Sequence, residues 1–195
     1  MMQLNQALKE WAIAVNALEA GETILLLRKG GIRERGGRFS VPYREVLLYP
    51  TYEHQKPDLL KPEYADRVTP VESGWHPERI AIGSWAEVTD ILPMTLETEA
   101  IAADLMAQLQ PYHIWSDRMV SDRLKWKPRQ PLYLLLLRTH KLSVPRDIPY
   151  RQEYGGCRSW ISLSETISLS DSTPVLADAE YRDRCDRIRQ ICTSV

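Results

Sequence analysis

The chain has 195 residues, 25 Lys/Arg against 26 Asp/Glu, and a formal net charge of −1, so it is neither a uniformly basic nor a uniformly acidic protein. With 44% apolar and 26% charged residues it is ordinary for a soluble globular domain that buries a real core. No apolar run approaches the roughly 18 residues of a membrane span, and no membrane association is expected. The opening MMQLNQALKEW lacks a charged start, an apolar segment and a small-residue cleavage site. There are three cysteines, of which Cys185 and Cys192 stand about 10 Å apart on the expected C-terminal helix, too far to pair. These features predict a reduced, cytoplasmic protein.

Charge is unevenly placed. Residues 53–110 hold eleven acids and four bases, whereas residues 118–158 hold ten Lys/Arg against three Asp/Glu. A near-neutral total therefore conceals a dipolar distribution that either covers solvated faces or builds a surface for an anionic partner.

In chain order, residues 3–20 read as a helix, because Leu4, Leu8, Trp11, Val15 and Leu18 recur at three- and four-residue spacings. Gly21 is the expected stop. Residues 22–27 read as a buried strand leading into Lys29-Gly30-Gly31-Ile32-Arg33-Glu34-Arg35-Gly36-Gly37-Arg38. Two Gly pairs and five cations from Arg28 to Arg38 favour close approach to phosphate, though the spacing is not that of a P-loop; a basic hairpin loop is the alternative. Residues 45–49 form the next strand, stopped by Pro50, and then comes the polar-aromatic group Thr51-Tyr52-Glu53-His54-Gln55. A short helix is expected at 57–61 and an irregular excursion at 62–78.

Residues 79–92 read as a long strand whose phase changes across Gly83, as a bulge would produce. Thr95 is a candidate cap for a helix at 96–109 that buries Ile101, Ala102, Leu105, Met106 and Leu109. Another helix spans about 114–124. Leu132–Leu137 is a six-residue apolar run, the length of a strand buried on both faces. Ser162, Ser164, Thr166, Ser168, Ser170, Ser172 and Thr173 read as a polar linker. Thr173-Pro174 then starts a helix that aligns Tyr181, Cys185, Ile188 and Cys192. The element order is not regular β-α alternation, so the fold expected is α+β, a small curved mixed β-sheet or barrel with N-terminal, middle and C-terminal helices. Residues 1–165 form the domain, and 166–195 a linker and helix that packs on it or mediates a homodimer.

Signatures of catalysis are sparse. His54, His76, His113 and His140 are scattered, and with three separated cysteines no metal or cofactor is expected. Cys157, in GGCRSW, has no His partner in sequence and reads as a structural thiol. A restriction-type nuclease places an acid two residues before a Lys on a strand, so that both face one metal. Every Lys departs from this, with Ala7, Leu27, His54, Leu59, Arg123, Lys125 or Thr139 at that position.

The segments ALKEWAIAVNALEAGETILLLRKGGIRE, LLYPTYEHQKPDLLKPEY, SWAEVTDILP, PYHIWSDRMVSDRLKWKPRQPLYLLLLR and YGGCRSWISL resemble an uncharacterised family best represented in cyanobacteria, which carries a domain-of-unknown-function label. That resemblance spans most of residues 7–163 and implies a connection with restriction–modification systems. More distantly, ALEAGETILLLR and AEVTDILP are similar to PUA-like domains of the ASCH and EVE branches, over about residues 17–142. This implies a small curved β-barrel that reads RNA or modified DNA bases, with aromatic rings stacking and basic side chains holding phosphate. Enzymatic ASCH members, amidohydrolases of acetylated cytidine, use a Lys before the first strand and a Glu on a later one. Glu87 matches the Glu, but Glu22 stands where the Lys belongs, which argues for binding without that chemistry.

The reading is a nucleic-acid-binding module for a base or structured strand. Arg33, Arg35, Lys125, Lys127 and Arg129 are the candidate phosphate contacts, and Tyr52, Trp85, Trp126 and Trp160 the candidate stacking rings. A divergent nuclease or base-modifying hydrolase is the enzyme alternative, and would require Glu53, His54 and Glu87 to cluster. A protein-interaction role through the terminal helices is the third.

Overall fold

The computed structural model describes residues 3–29, 40–94, 99–126 and 130–193. The fold is α+β, built on a mixed sheet of seven strands: β1 (Gln3–Trp11), β2 (Leu25–Arg28), β3 (Glu45–Thr51), β4 (Arg79–Met94), β5 (Leu132–Pro149), β6 (Trp160–Ser168) and β7 (Thr173–Pro174). Their order is β2-β5-β4-β3-β1-β6, with β7 on β5. β1 and β3 run parallel, and every other pairing is antiparallel. Among the described residues the end strands β2 and β6 do not pair with each other, so the sheet curls without closing. Among the described residues five α-helices accompany it: α1 (Ala12–Glu19), α2 (Pro62–Ala65), α3 (Glu99–Leu109), α4 (Asp117–Lys125) and α5 (Asp178–Thr193).

Each face of the sheet carries its own core. In β3, Val46 and Leu48 join the helix-covered side while Leu47 and Tyr49 join the other, all 2% exposed or less. Side chains alternate along a strand, so an apolar run of this kind requires cover on both faces. The larger core packs Ile13 and Leu18 of α1, Leu105 of α3, Met119 of α4 and Ile188 of α5 against the sheet. The smaller one gathers Ala7, Ile82, Trp85, Ile148, Ile161 and neighbours where the sheet curls over itself. As its sequence predicts, Leu134–Leu137 is buried on both faces. β5 nevertheless continues to Pro149, because β4 pairs with it from Arg79↔Pro149 to Met94↔Leu132.

The expected bulge in β4 falls between Ile82 and Ser84, and a second lies between Val88 and Asp90. At Gly83 a Cβ would stand 2.7 Å from Glu19 Oε1, the end of a flexible side chain that can turn aside, so glycine there suits the bulge without being demanded by α1. Gly21 ends α1 at φ +70°, as a C-terminal glycine does. α3 begins at Glu99, and its expected cap Thr95 lies outside the described residues; Ala102, Leu105, Met106 and Leu109 are its buried face. Ser116 caps α4 by accepting the Met119 N–H at 3.3 Å.

Three expectations are corrected. Residues 3–11 are strand, not helix: β1 is bonded to β3 on one side and β6 on the other, and two ladders outweigh local helix preference. The serine-rich segment is not a linker up to Ser168, because β6 buries Ile161, Leu163 and Ile167 and turns its Ser, Glu and Thr outward. Thr173-Pro174 starts no helix; it is β7, opposite Lys141 and His140, and α5 begins at Asp178. α5 does present Tyr181, Cys185 and Ile188 to the core.

His113 couples the fold to pH. It is 3% exposed, its Nδ1 accepts the Trp115 N–H at 3.2 Å, and Lys61 Nζ donates to its carbonyl. Burial, and then the Lys61 charge, hold its pKa down from 6.5 to about 4. Between those values the unfolded chain binds the proton and the fold does not, so stability rises with pH across that window. The contribution is complete above pH 6.5 and is lost as pH falls toward 4, about 3 kcal/mol in all. Urea midpoints of wild type and His113→Asn, measured from pH 7 to 4.5, should converge as pH falls; parallel curves would refute this origin.

Candidate nucleic-acid interface

The site grows from the C-terminal end of β1. Along a strand, Lys9 and Glu10 must face opposite sides. Lys9 pairs in register with Tyr49, and its ammonium donates to the carbonyls of Tyr154 at 2.6 Å and Gly156 at 2.8 Å. Burial, followed by the charge of Arg158, lowers its pKa. Glu10, 8% exposed, turns the other way and accepts the Trp11 N–H through Oε1 at 2.9 Å.

There it meets the end of β2. Arg28 Nη2 donates to the Lys9 carbonyl at 2.7 Å and lies 3.4 Å from Glu10 Oε2. Among the described residues Arg28 Nε is buried with no hydrogen-bond partner. The next residue, Lys29, is only 6% exposed. Its ammonium donates to the carbonyls of Arg123 at 3.1 Å and Leu124 at 3.0 Å. These belong to the last turn of α4, where a cation satisfies orphan carbonyls and the helix dipole. Burial, then Arg123, depress the Lys29 pKa. Arg123 is half-buried, and its own pKa is lowered by burial first and by Arg28 second, with Glu10 opposing.

The Lys29 contact joins the two basic stretches of the sequence. Arg28–Lys29 opens the first; Arg123, Lys125 and Trp126 lie within the second. Lys125 is exposed and Trp126 is 37% exposed beside it. Arg33, Arg35, Lys127 and Arg129 lie outside the described residues.

The other candidates are dispersed. Trp85 is 9% exposed, stacks on His140 at 4.2 Å and 11°, and donates from Nε1 to Ser172 Oγ at 2.9 Å. It is a core ring, which corrects its reading as a stacking surface. Trp160 is half-buried, edge-on to Tyr43, and donates to the Ser40 carbonyl at 3.0 Å. Tyr52 is half-buried, edge-on to Trp75.

Glu53 and His54 do not meet Glu87. Glu53 Oε1 accepts the Gly74 N–H at 2.7 Å and the Ser73 hydroxyl at 3.2 Å, and lies 3.3 Å from His54 Nε2. This pair follows the end of β3, whereas Glu87 is opposite Glu45 at its start. Six residues of strand separate those ends by roughly 20 Å. The three-residue constellation is therefore not formed, and among the described residues no group of three or more His, Cys, Asp or Glu is placed to hold a metal.

Lys9, Glu10 and Arg123 were not singled out by sequence reasoning. A helix reading of residues 3–20 makes Lys9-Glu10 a solvated helical pair, and only the β1 pairing turns Glu10 inward. The available signal was an adjacent charge pair entering the apolar run Trp11–Val15.

The family model described as "Domain of unknown function (DUF1802)" matches residues 7–187. The chain belongs to the DUF1802 family. No curated protein matches it. Among solved structures it is similar to ASCH from Zymomonas mobilis, with 13% identity, a TM-score of 0.47, and coverage of 93% of each chain. Two single-substitution variants of that ASCH protein match alike, at TM-scores of 0.47 and 0.46 and identities of 13% and 12%. They cover 93% of this chain and 94% and 96% of their own. Among the described residues of this DUF1802 chain, no helix is long and apolar enough to cross a membrane.

Lys29→Met retains the stem and removes the ammonium that holds the end of α4. It should cost about 1–3 kcal/mol of stability, as charged hydrogen bonds do, and speed hydrogen exchange in the last turn of α4. An unchanged urea midpoint with unchanged exchange would show that the ammonium contributes nothing to the fold.

Proposed function

We propose that this DUF1802 protein is a nucleic-acid-binding module whose contact surface is centred on the junction of β2 with the end of α4. One observation supports the reading: Lys29, at the start of the 28–38 basic stretch, donates to the Arg123 and Leu124 carbonyls within the 118–158 stretch. Nucleic acid is a dense line of negative charge, and binding it releases counterions in proportion to the phosphates neutralised. A surface with one cation gains little from this; one with several cations gains repeatedly. Arg33, Arg35, Lys125, Lys127 and Arg129 are the proposed phosphate contacts. Trp126, exposed and flanked by Lys125 and Lys127 in sequence, is the proposed stacking ring.

The test is binding of labelled single- and double-stranded RNA and DNA across a salt series, beside a variant in which Arg33, Arg35, Lys127 and Arg129 become Gln. Wild type should bind at least one substrate with an affinity that falls steeply with salt. The variant should bind roughly 10-fold or more weakly, with a slope flatter by about one unit for each phosphate it no longer neutralises. No binding of any substrate at low salt would end the proposal. Equal slopes for both proteins would move the contact surface elsewhere.

A further inference from the structure

A small pocket lies at the start of β2, where the Leu137 N–H donates to the Ile24 carbonyl at 2.9 Å. Arg138 and Thr139 of β5 line it, together with Thr23, Val175, Leu176 and Tyr181. Arg138 is 8% exposed and Thr139 6%. Among the described residues, neither Arg138 Nη1 nor Thr139 Oγ1 has a hydrogen-bond partner. The guanidinium lies over the Tyr181 ring at 4.8 Å, and the Tyr181 hydroxyl is bonded to Thr89 at 2.7 Å. A ring face stabilises the cation but takes none of the N–H bonds along its edge. Buried donors left without acceptors are costly, so the pocket holds unused capacity for a ligand that accepts.

One wall of the pocket is a strap. Residues 173–178 run from β7 into the first residue of α5, and Thr173 and Pro174 are paired with Lys141 and His140. The Val175 N–H then donates to the Thr139 carbonyl at 3.0 Å. Val175 and Leu176 lie against Gly21, where an added Cβ would stand 3.2 Å from Val175 Cγ1 and 2.7 Å from Leu176 Cδ2. Asp178 closes the strap, its Oδ1 accepting from Arg138 Nη2 at 2.5 Å. This ion pair is lopsided, because the Asp178 side chain is 79% exposed and that of Arg138 is 10% exposed. Water competes for such a carboxylate, while the guanidinium it serves stays buried. Glu87 stands opposite Arg138 in the β4–β5 ladder but is exposed and makes no ion pair with it. The flanks are held separately: Trp85 Nε1 donates to Ser172 Oγ at 2.9 Å, and Arg184 donates to the Gly21 carbonyl at 2.6 Å.

Asp178 brings one oxygen to one nitrogen, whereas a guanidinium fork is filled by an anion that brings an oxygen to each Nη. We infer that this pocket is an oxyanion-binding site centred on Arg138, and that Asp178 is its built-in competitor, holding the strap shut until a ligand replaces it. The ligand takes both Nη groups, Thr139 Oγ1 donates to it, and residues 173–178 move aside. The site does not rest on the nucleic-acid reading, since the pocket is at the start of β2 and the β2–α4 junction at its end.

The experiment is a titration of the whole protein with inorganic phosphate and, separately, with acetate, each against chloride at equal ionic strength, followed by calorimetry and hydrogen exchange. The arms are wild type, Asp178→Asn, Arg138→Lys and Arg138→Gln, each first shown folded by circular dichroism. An oxyanion should bind wild type and, by displacing Asp178, speed exchange of the Val175 amide. Asp178→Asn should bind it roughly 10-fold more tightly, because a competitor lowers apparent affinity by the fraction of molecules it keeps closed. Arg138→Lys keeps the charge without the fork and should lose most of the affinity, and Arg138→Gln should lose all of it.

Binding of acetate alone identifies a carboxylate ligand and binding of phosphate alone a phosphate; either supports the site. Binding of neither beyond chloride overturns it, as does binding undiminished in both Arg138 variants. Equal affinity in wild type and Asp178→Asn, or slower Val175 exchange on binding, overturns the competitor. Should the Arg138 variants not fold, the Asp178→Asn affinity and the Val175 exchange decide the question.

Discussion

The structure depends on β1 being an interior strand. Its parallel ladder with β3, from Ala7↔Leu47 to Trp11↔Thr51, and its antiparallel ladder with β6 fix which way each of its residues faces. That one constraint sends Leu8 and Glu10 toward the helix-covered side and Ala7 and Lys9 toward the other. A slip of one residue would exchange these assignments, expelling Leu8 from the larger core and pulling Glu10 away from Arg28. The two cores and the charged junction are thus consequences of a single register. It is protected by the burial of Ala7 and Leu8, each 0% exposed.

The same register explains what was legible in the sequence and what was not. Strands such as residues 45–49 and 132–137 announce themselves, because burial on both faces leaves an unbroken apolar run. The β4 bulge was legible as a change of phase at Gly83. Residues 3–11 were not: Leu4, Ala7, Leu8 and Trp11 fit a helical stripe as well as a strand buried on both sides, and the deciding ladder to β6 lies more than 150 residues away. Residues 160–168 are a different case. The period of two in Ile161, Leu163 and Ile167 is a strand signal, but the high serine content between those positions reads as a linker if composition is weighed first. Of the candidate site, the basic stretches were plain in composition. Their meeting was not, since it requires Lys29 to find carbonyls at the end of a helix far along the chain.

The polar groups of the junction show a division of labour. Lys29 serves the fold, because its donors are engaged by the α4 carbonyls. Lys9 does likewise at the Tyr154 and Gly156 carbonyls. Both are drawn down in pKa by burial first, which a structural ammonium tolerates while its hydrogen bonds hold. Arg28 instead bonds the Lys9 carbonyl and pairs with Glu10.

Aromatic placement sharpens the same point. Trp85 and Trp115, at 9% and 3% exposed, belong to the interior, and Trp11 packs edge-on to Trp115 at 5.3 Å. Trp160 is half-buried under its bond to the Ser40 carbonyl. The two tryptophans with large exposure are Trp75, at 46%, and Trp126, at 37%. Trp75 stands against Tyr52 on a turn tied to Glu53, in the acid-rich part of the sequence. That neighbourhood disfavours a polyanion, so an exposed ring there is not by itself a place for a base. Trp126 has the opposite surroundings. It follows Lys125 directly after α4, whose last turn receives Lys29. Stacking is sequence-tolerant and adds to affinity only where the backbone is already attracted. On the proposed reading, the exposed ring beside Lys125 is therefore the one suited to stack.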